Sequence, residues 1–395
     1  MEIKAGNDVL AWSTDEKIRE RGASGGAVTA LIKTALETGM ADYAMGIRKK
    51  GDLEHEVVLT KDPKEVETFA GALHMAPVNQ YDQVVDALEK GRVVMALKPC
   101  EVKAIRLNTL RNQLDRKRLI LIGLNCGGTV DPKAAPAMLE KFYGVEPSQV
   151  EKEEILHGKF IVEMKDGTHK AIKIDDLEEA GYGRRPNCQR CVSKIPIGTD
   201  IAAGNWGVPK DLTGKATYIA IQTDEGAELV EKGLQKGTIK VTDTDPDEAA
   251  RRLKTAKFME KLALKWRKRY FENFEGQLRE ERLKLFLEEV DRCTACGKCQ
   301  DVCPACTCGI AAKCLDFANM RAEKPEERNK LLFHFIRIYH MLDLCIACGQ
   351  CSLVCEATPP IDVSSMITRY AFKRQQIETW LPGVSEGELP ILRTK

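Results

Sequence analysis

Apolar residues along this 395-residue chain follow different patterns in different stretches, and the changes divide it into segments. Across 1–245, short apolar runs of strand length alternate with stretches of helical spacing. Val93–Leu97 and Leu119–Leu124 are two such runs, each expected to be followed by a helix, and Tyr218–Gln222 leads into a third helical stretch, Gly226–Leu234. An earlier helix is expected from Gly26 to Thr38, directly after small residues. Strands alternating with helices predict an α/β domain. From about Asp247 to Asp291 the chain becomes strongly charged with helical spacing, which predicts a helical linker over 246–285. A second domain, α+β or all-helical, is expected at 286–365, followed by a tail at 366–395 that carries Pro382 and Pro390.

The charge balance removes some classes of partner. Sixty basic residues against 59 acidic ones leave no net field for nucleic acid or an anionic membrane, so proteins and small molecules are the expected partners. The N-terminal residues lack the pattern of a signal peptide, and no apolar run is long enough to span a bilayer, so a soluble, cytoplasmic protein is expected. In that compartment 15 cysteines do not form a disulfide framework; they point to metal or redox chemistry. Four of them, Cys100, Cys126, Cys188 and Cys191, are spread through the first half, and the other eleven lie between 293 and 355.

The clustered cysteines carry the sharper signal. Cys293, Cys296, Cys299 and Cys303, followed by Pro304, match the C-x₂-C-x₂-C-x₃-C-P run of bacterial two-cluster ferredoxins, and Cys345, Cys348, Cys351 and Cys355 repeat the spacing. Glu356 stands where the second proline would be. In that pattern each motif gives three ligands to one [4Fe–4S] cluster and its fourth to the other. The expected sets are therefore Cys293, Cys296, Cys299 with Cys355, and Cys345, Cys348, Cys351 with Cys303. Two structural zinc sites are the alternative use of C-x₂-C pairs, though zinc motifs seldom repeat this four-cysteine spacing. Cys306, Cys308 and Cys314 have no assigned role.

The first half is less specific. Cys100 and Cys126 each follow an expected strand, at the edge where open α/β sheets bind ligands, and could meet the Cys188–Cys191 pair there. A cluster, a redox-active C-x₂-C pair and unrelated buried thiols all fit that spacing. Ser24-Gly25-Gly26 opening a helix suits either a phosphate or an ordinary cap, and Gly204-Asn205-Trp206-Gly207 reads as a turn with a packed tryptophan. No G-x-G-x-x-G fingerprint, P-loop or H-E-x-x-H occurs, and the six histidines are scattered, so hydrolytic chemistry has no support.

Taken together, Ser24-Gly25-Gly26-Ala27-Val28-Thr29, Lys98-Pro99-Cys100-Glu101, Cys188-x₂-Cys191 and Gly204-Asn205-Trp206-Gly207 resemble the coenzyme F-420 hydrogenase/dehydrogenase beta-subunit family over about residues 10–245. With the appended cysteine-rich segment, the chain looks most like the formate-dehydrogenase branch of that family in methanogenic archaea. The resemblance implies an N-terminal FAD- and deazaflavin-binding domain, with Ser24, Gly25, Gly26, Thr29, His74, Asn205 and Trp206 at the flavin. It implies one [4Fe–4S] cluster there on Cys100, Cys126, Cys188 and Cys191, and coenzyme F-420 as the substrate. The implied partner is a molybdopterin-containing formate dehydrogenase alpha subunit, with a heterodisulfide reductase complex as a further candidate. Electrons would pass from clusters through FAD to the deazaflavin, because a flavin handles both single electrons and hydride.

Overall fold

A computed structural model describes residues 2–71, 73–75, 78–156, 158–275, 277–306 and 313–369. The chain divides into two compact units, Met1–Lys265 and Trp266–Lys395.

The first unit is built on an eight-stranded mixed sheet. In chain order its strands are β1 (Asp8–Ser13), β2 (Tyr43–Lys49), β3 (His55–Thr60), β4 (Val93–Leu97) and β5 (Leu119–Leu124). A separate three-stranded antiparallel sheet follows, of β6 (Val150–Leu156), β7 (Lys159–Met164) and β8 (His169–Lys173). The chain then returns to the large sheet with β9 (Ile201–Gly204), β10 (Thr217–Ile221) and β11 (Ile239–Asp243). The order across the large sheet is β11-β1-β10-β9-β5-β4-β2-β3. Its centre, β2-β4-β5-β9, is parallel, and antiparallel strands flank it on both sides.

Burial explains which strands the sequence announces. In β4 (VVMAL) and β5 (LILIGL) nearly every side chain is buried, as expected of strands covered on both faces. The helix Ala27–Glu37 lies on one face of the sheet and buries Ala27, Ala30, Leu31, Ile32, Thr34 and Ala35. Leu31 is completely enclosed in a core shared with Val94, Ile120, Ile122, Ile201 and Ile219. Enclosing such a side chain contributes about 1.5–3 kcal/mol. The helix Asp224–Gln235 covers the same core through Leu229 and Val230. One expectation fails locally: β5 runs not into a helix but into a loop through Gly127 and Gly128, and the short helix Ala135–Met138 comes later. The three-stranded sheet was not expected, because the exposed, charged positions of β6 (VEKEEIL) and β8 (HKAIK) hide any alternation.

The second unit is helical among the described residues. It holds the helices Arg279–Asp291, Lys298–Asp301, Lys313–Phe317, Lys330–Met341 and Gln350–Leu353, with residues 363–369 also helical. The long helix Pro246–Glu275 spans the division between the units. A small core joins Ala295, Ala318, Met320 and Phe333. The two cysteine motifs are built alike: Ala295 and Ala347 both have φ of +55°, and Gly297 and Gly349 begin equivalent one-turn helices in left-handed conformation. Cys308 lies outside the described residues, and only the backbone of Cys314 is described.

Candidate functional site

A cavity of about 250 Å³ opens at the C-terminal ends of the parallel strands β2, β4, β5 and β9. One wall is the turn before the helix Ala27–Glu37. Gly25 and Gly26 both adopt positive φ, and a Cβ on Gly25 would lie 2.2 Å from the Lys215 carbonyl oxygen, so only glycine lets the two segments approach. Ser24 closes the contact to β10, its Oγ 3.1 Å from Thr217 Oγ1 while the Thr217 hydroxyl also donates to the Ser24 carbonyl. Gly26 gives this helix no side-chain cap, so its first N–H groups stay available at the cavity wall. The floor is apolar, with the Phe69 ring lying against Gly46, where a Cβ would approach it to 2.1 Å.

The remaining walls are polar. Asn205 Nδ2 donates to Glu154 Oε1 at 2.8 Å, joining the end of β9 to β6. His74 is fixed by its backbone: its N–H donates to Glu153 Oε1 at 3.0 Å, and its carbonyl accepts from Val130 N–H at 2.6 Å. Burial depresses the His74 pKa, against the pull of the Glu153 carboxylate, so the ring is neutral at pH 7. Lys98 Nζ donates to the Val78 carbonyl at 2.7 Å and pairs with Glu101 at 3.0 Å. Burial works against its charge, but Glu101 and the thiols of Cys100 and Cys126 outweigh it and raise its pKa, so a buried cation sits at the cavity.

Of the residues singled out from sequence, Ser24, Gly26, Thr29, His74, Asn205, Trp206 and Cys126 line the cavity, and Gly25 shapes its wall from behind. Gln80, Asn125 and Glu154 also line it and were not singled out, and Lys98 lines it from the Lys98-Pro99-Cys100-Glu101 motif without having been given a role. Lys98 and Asn125 stand beside Cys100 and Cys126, and that adjacency was the available signal. Nothing local marks Gln80 or Glu154. The loop carrying Asn125 and Cys126 is pinned by Arg184, a fully buried residue whose Nε donates to Glu178 at 2.5 Å and whose Nη1 donates to the Gly127 carbonyl at 3.2 Å.

The thiols fall into neighbourhoods. Cys126 feels the charges of Cys188 and Cys191, and Lys98 those of Cys100 and Cys126. In the second unit Cys299 is near Cys293, Cys296 and Cys355; Cys345 is near Cys303, and Cys351 near Cys348 and Cys345. Arg337, buried against Phe333, donates to the Cys299 carbonyl at 3.2 Å and interacts with Cys299, Cys303, Cys351 and Cys306.

These neighbourhoods correct the cofactor expectation. Among the described residues, no group of three or more His, Cys, Asp or Glu side chains is placed to hold a metal ion. Burial pushes Cys126, Cys299 and Cys345 up to about 11 and Cys351 well above its usual value, whereas at Cys188 the Arg185 guanidinium and Thr129 outweigh burial and bring the thiol down to about 7. The expected [4Fe–4S] clusters, two in the second unit and one on Cys100, Cys126, Cys188 and Cys191, are therefore not carried forward. The second unit is described as a helical domain rather than a two-cluster ferredoxin type. FAD is not carried forward either: the residues lining the cavity do not by themselves specify a dinucleotide. Among the described residues no helix is long and apolar enough to cross a membrane.

Comparison with known proteins places this architecture. Residues 9–82 match the N-terminal part, and residues 90–247 the C-terminal part, of the family described as coenzyme F420 hydrogenase/dehydrogenase, beta subunit. The F420-dependent formate dehydrogenase subunit beta of Methanocaldococcus jannaschii is 37% identical over 97% of this chain and 98% of its own length. The F420-dependent formate dehydrogenase 1 subunit beta of Methanococcus maripaludis is 36% identical over 83% of both chains. A chain of the F420-reducing [NiFe] hydrogenase complex from Methanosarcina barkeri shares the fold, with a TM-score of 0.59 over 66% of this chain and 91% of its own, at 23% identity. With near-complete overlap on the first relative, the chain belongs to the coenzyme F420 hydrogenase/dehydrogenase beta-subunit family of oxidoreductase subunits, close to the formate dehydrogenase beta subunits of methanogens.

Proposed function

We propose that this chain carries reducing equivalents between a formate-oxidising, molybdopterin-containing alpha subunit and coenzyme F-420, and that the deazaflavin ring of the coenzyme docks in the cavity at the ends of β2, β4, β5 and β9. The observation that carries this reading is the coincidence of two facts. The segments through which the chain resembles its family, 24–29, 98–101 and 204–207, meet around one cavity although they are far apart in sequence. The similar chains from two methanogens are F420-dependent formate dehydrogenase beta subunits.

The overall reaction balances with one proton from solvent: formate gives up two electrons and a proton to become carbon dioxide, and the coenzyme gains those two electrons, that proton and the solvent's. The residues of this chain hold the ring and favour the reduced state. Phe69, Ile47 and Trp206 offer apolar and aromatic surface for a flat ring. The Lys98 cation, fixed by Glu101 and the Val78 carbonyl, faces the negative charge that builds on a ring as it is reduced, where a pre-oriented cation is most effective. His74, neutral at pH 7, is fixed at the wall through its backbone bond to Glu153.

The test combines the purified chain with its formate-oxidising partner and follows the visible absorption of the oxidised coenzyme after formate is added. Bleaching that requires this chain, with a raised KM for the coenzyme in Trp206→Ala, is the expected result. Equal bleaching without the chain would overturn the reading.

A further inference from the structure

The first unit holds a second and larger cavity, of about 830 Å³, beside the one described above. The two share part of a wall, formed by Gly22, Ala23 and residues 69–71. Charged side chains line the larger one, among them Arg19, Lys49, Glu151, Lys152 and Glu163, so its chemistry suits water rather than an apolar group. Each cavity is also lined by a histidine with unused ring nitrogens. His55, the first residue of β3, lines the larger cavity; its Nδ1 and Nε2 are both buried, and neither has a hydrogen-bond partner among the described residues. His74 lines the smaller cavity, and its Nδ1 is in the same state.

Glu153 connects the two. It lies on β6 in the wall of the larger cavity, its Oε1 accepts from the backbone N–H groups of His74 at 3.0 Å and Met75 at 3.1 Å, and its charge acts on both imidazoles. Burial lowers the pKa of both rings; the Glu153 carboxylate opposes that shift at each, and Lys49 adds to it at His55. Both rings are therefore neutral at pH 7. A neutral imidazole accepts a proton on one nitrogen and can release one from the other, which is the property a proton shuttle needs. A histidine kept only for packing is expected to bond a neighbour through at least one ring nitrogen, and His55 bonds none among the described residues.

We propose that His55, Glu153 and His74 form a proton relay that brings the solvent proton from the larger cavity to the ring reduced in the smaller one. The proposal rests on the preceding reading of the smaller cavity as the place where the coenzyme is reduced. The proton leaves water in the larger cavity and enters His55 at one nitrogen while another proton leaves from the other nitrogen. That proton crosses through water beside Glu153, is taken up at His74 Nδ1 and passes to the ring. No electrons move in these steps, and each imidazole ends with as many protons as it had at the start. Glu153 takes no proton; its charge offsets the penalty of burial while a ring is protonated.

The experiment uses the complex of this chain with its formate-oxidising partner and follows coenzyme reduction in H₂O and in D₂O. In His55→Ala kcat should fall by about tenfold or more, since a positioned proton-transfer group contributes on the order of a hundredfold and cavity water replaces it in part. KM for the coenzyme should stay within about twofold of the native value, because His55 does not touch it. The solvent isotope effect should rise above that of the native complex, and added imidazole, which the larger cavity has room to admit, should restore much of the rate. His55→Gln keeps a polar side chain of similar length but passes no proton, so it should be slowed alike; it also serves if the alanine variant does not fold. The double variant His55→Ala, His74→Gln should be no slower than the slower single one, because both block one path. Slowing with an unchanged isotope effect and no rescue by imidazole would mark a structural role and overturn the proposal. If the native complex does not reduce the coenzyme, the reading of the smaller cavity fails and this proposal with it; if it does and both His55 variants match its kcat, only the relay fails.

Discussion

The cavity of the first unit and the thiol-rich part of the second contrast in how they are encoded. The cavity gathers residues from 24–29, 74–80, 98, 125–126, 154 and 205–206, held by a continuous sheet core in which Val94, Ile120 and Ile201 are fully enclosed. The thiols of the second unit come from two short segments, 293–303 and 345–355, supported by a core of Ala295, Ala318, Met320 and Phe333 and by buried polar residues such as His334 and Arg337. A site assembled from distant segments depends on the packing of the whole unit. A site built from local motifs keeps its backbone turns even on a small core, but the sequence of the motif alone does not bring its side chains into coordinating distance.

This contrast can be broken or sharpened by perturbing each region. The largest effect is expected at the buried pair behind the cavity loop: Glu178→Gln leaves the Arg184 guanidinium enclosed without its counter-charge and should cost about 3–5 kcal/mol in urea unfolding. A small effect there would mean that the loop holding Asn125 does not depend on the interior of its unit.

In the second unit the expected weak point is acid. Burial, reinforced by the nearby cations Arg337 and Lys330, lowers the His334 pKa from 6.5 to about 4. Protonation is thus easier in the unfolded chain. The stability that comes from keeping this ring neutral is fully present above pH 6.5 and is lost progressively as pH falls through about 4. At 1.36 kcal/mol per pH unit the whole loss is about 3 kcal/mol. Denaturant midpoints measured across that range should fall with pH in the native chain and flatten in His334→Phe.

Gly25→Ala should cost about 1–3 kcal/mol, because it imposes a positive φ on alanine and drives a Cβ toward the Lys215 carbonyl; the same titration measures it. The smallest effect is expected at the exposed pair of Lys298 and Glu356, which links the two cysteine motifs at 2.5 Å: Lys298→Ala should leave the unfolding midpoint unchanged.

Sequence reading reached the elements whose burial is uniform. β4 and β5 lie where their unbroken apolar runs ended, and the helix Ala27–Glu37 differs from the expected segment by one residue at each end. It missed β6 to β8, where solvent-facing charges conceal the strand pattern, and the loop after β5, where glycines replace the expected helix. Around the cavity, Ser24, Gly26, Thr29, Asn205 and Trp206 were legible through short motifs. Gln80 was not, because a single buried glutamine between loops carries no pattern.

By itself, the sequence determined the α/β character of the first unit, the repeated backbone of the two cysteine motifs and membership of the family, since hydrophobic period, glycine placement and cysteine spacing are local or cumulative properties of the chain. The tertiary structure decided which strand ends meet, which polar atoms are left facing a common cavity, how Glu101 keeps Lys98 charged against its burial, and how burial holds His334 neutral. Those properties depend on how segments far apart in sequence pack together and on the loss of water around the groups they enclose, and neither is written in any short stretch of sequence.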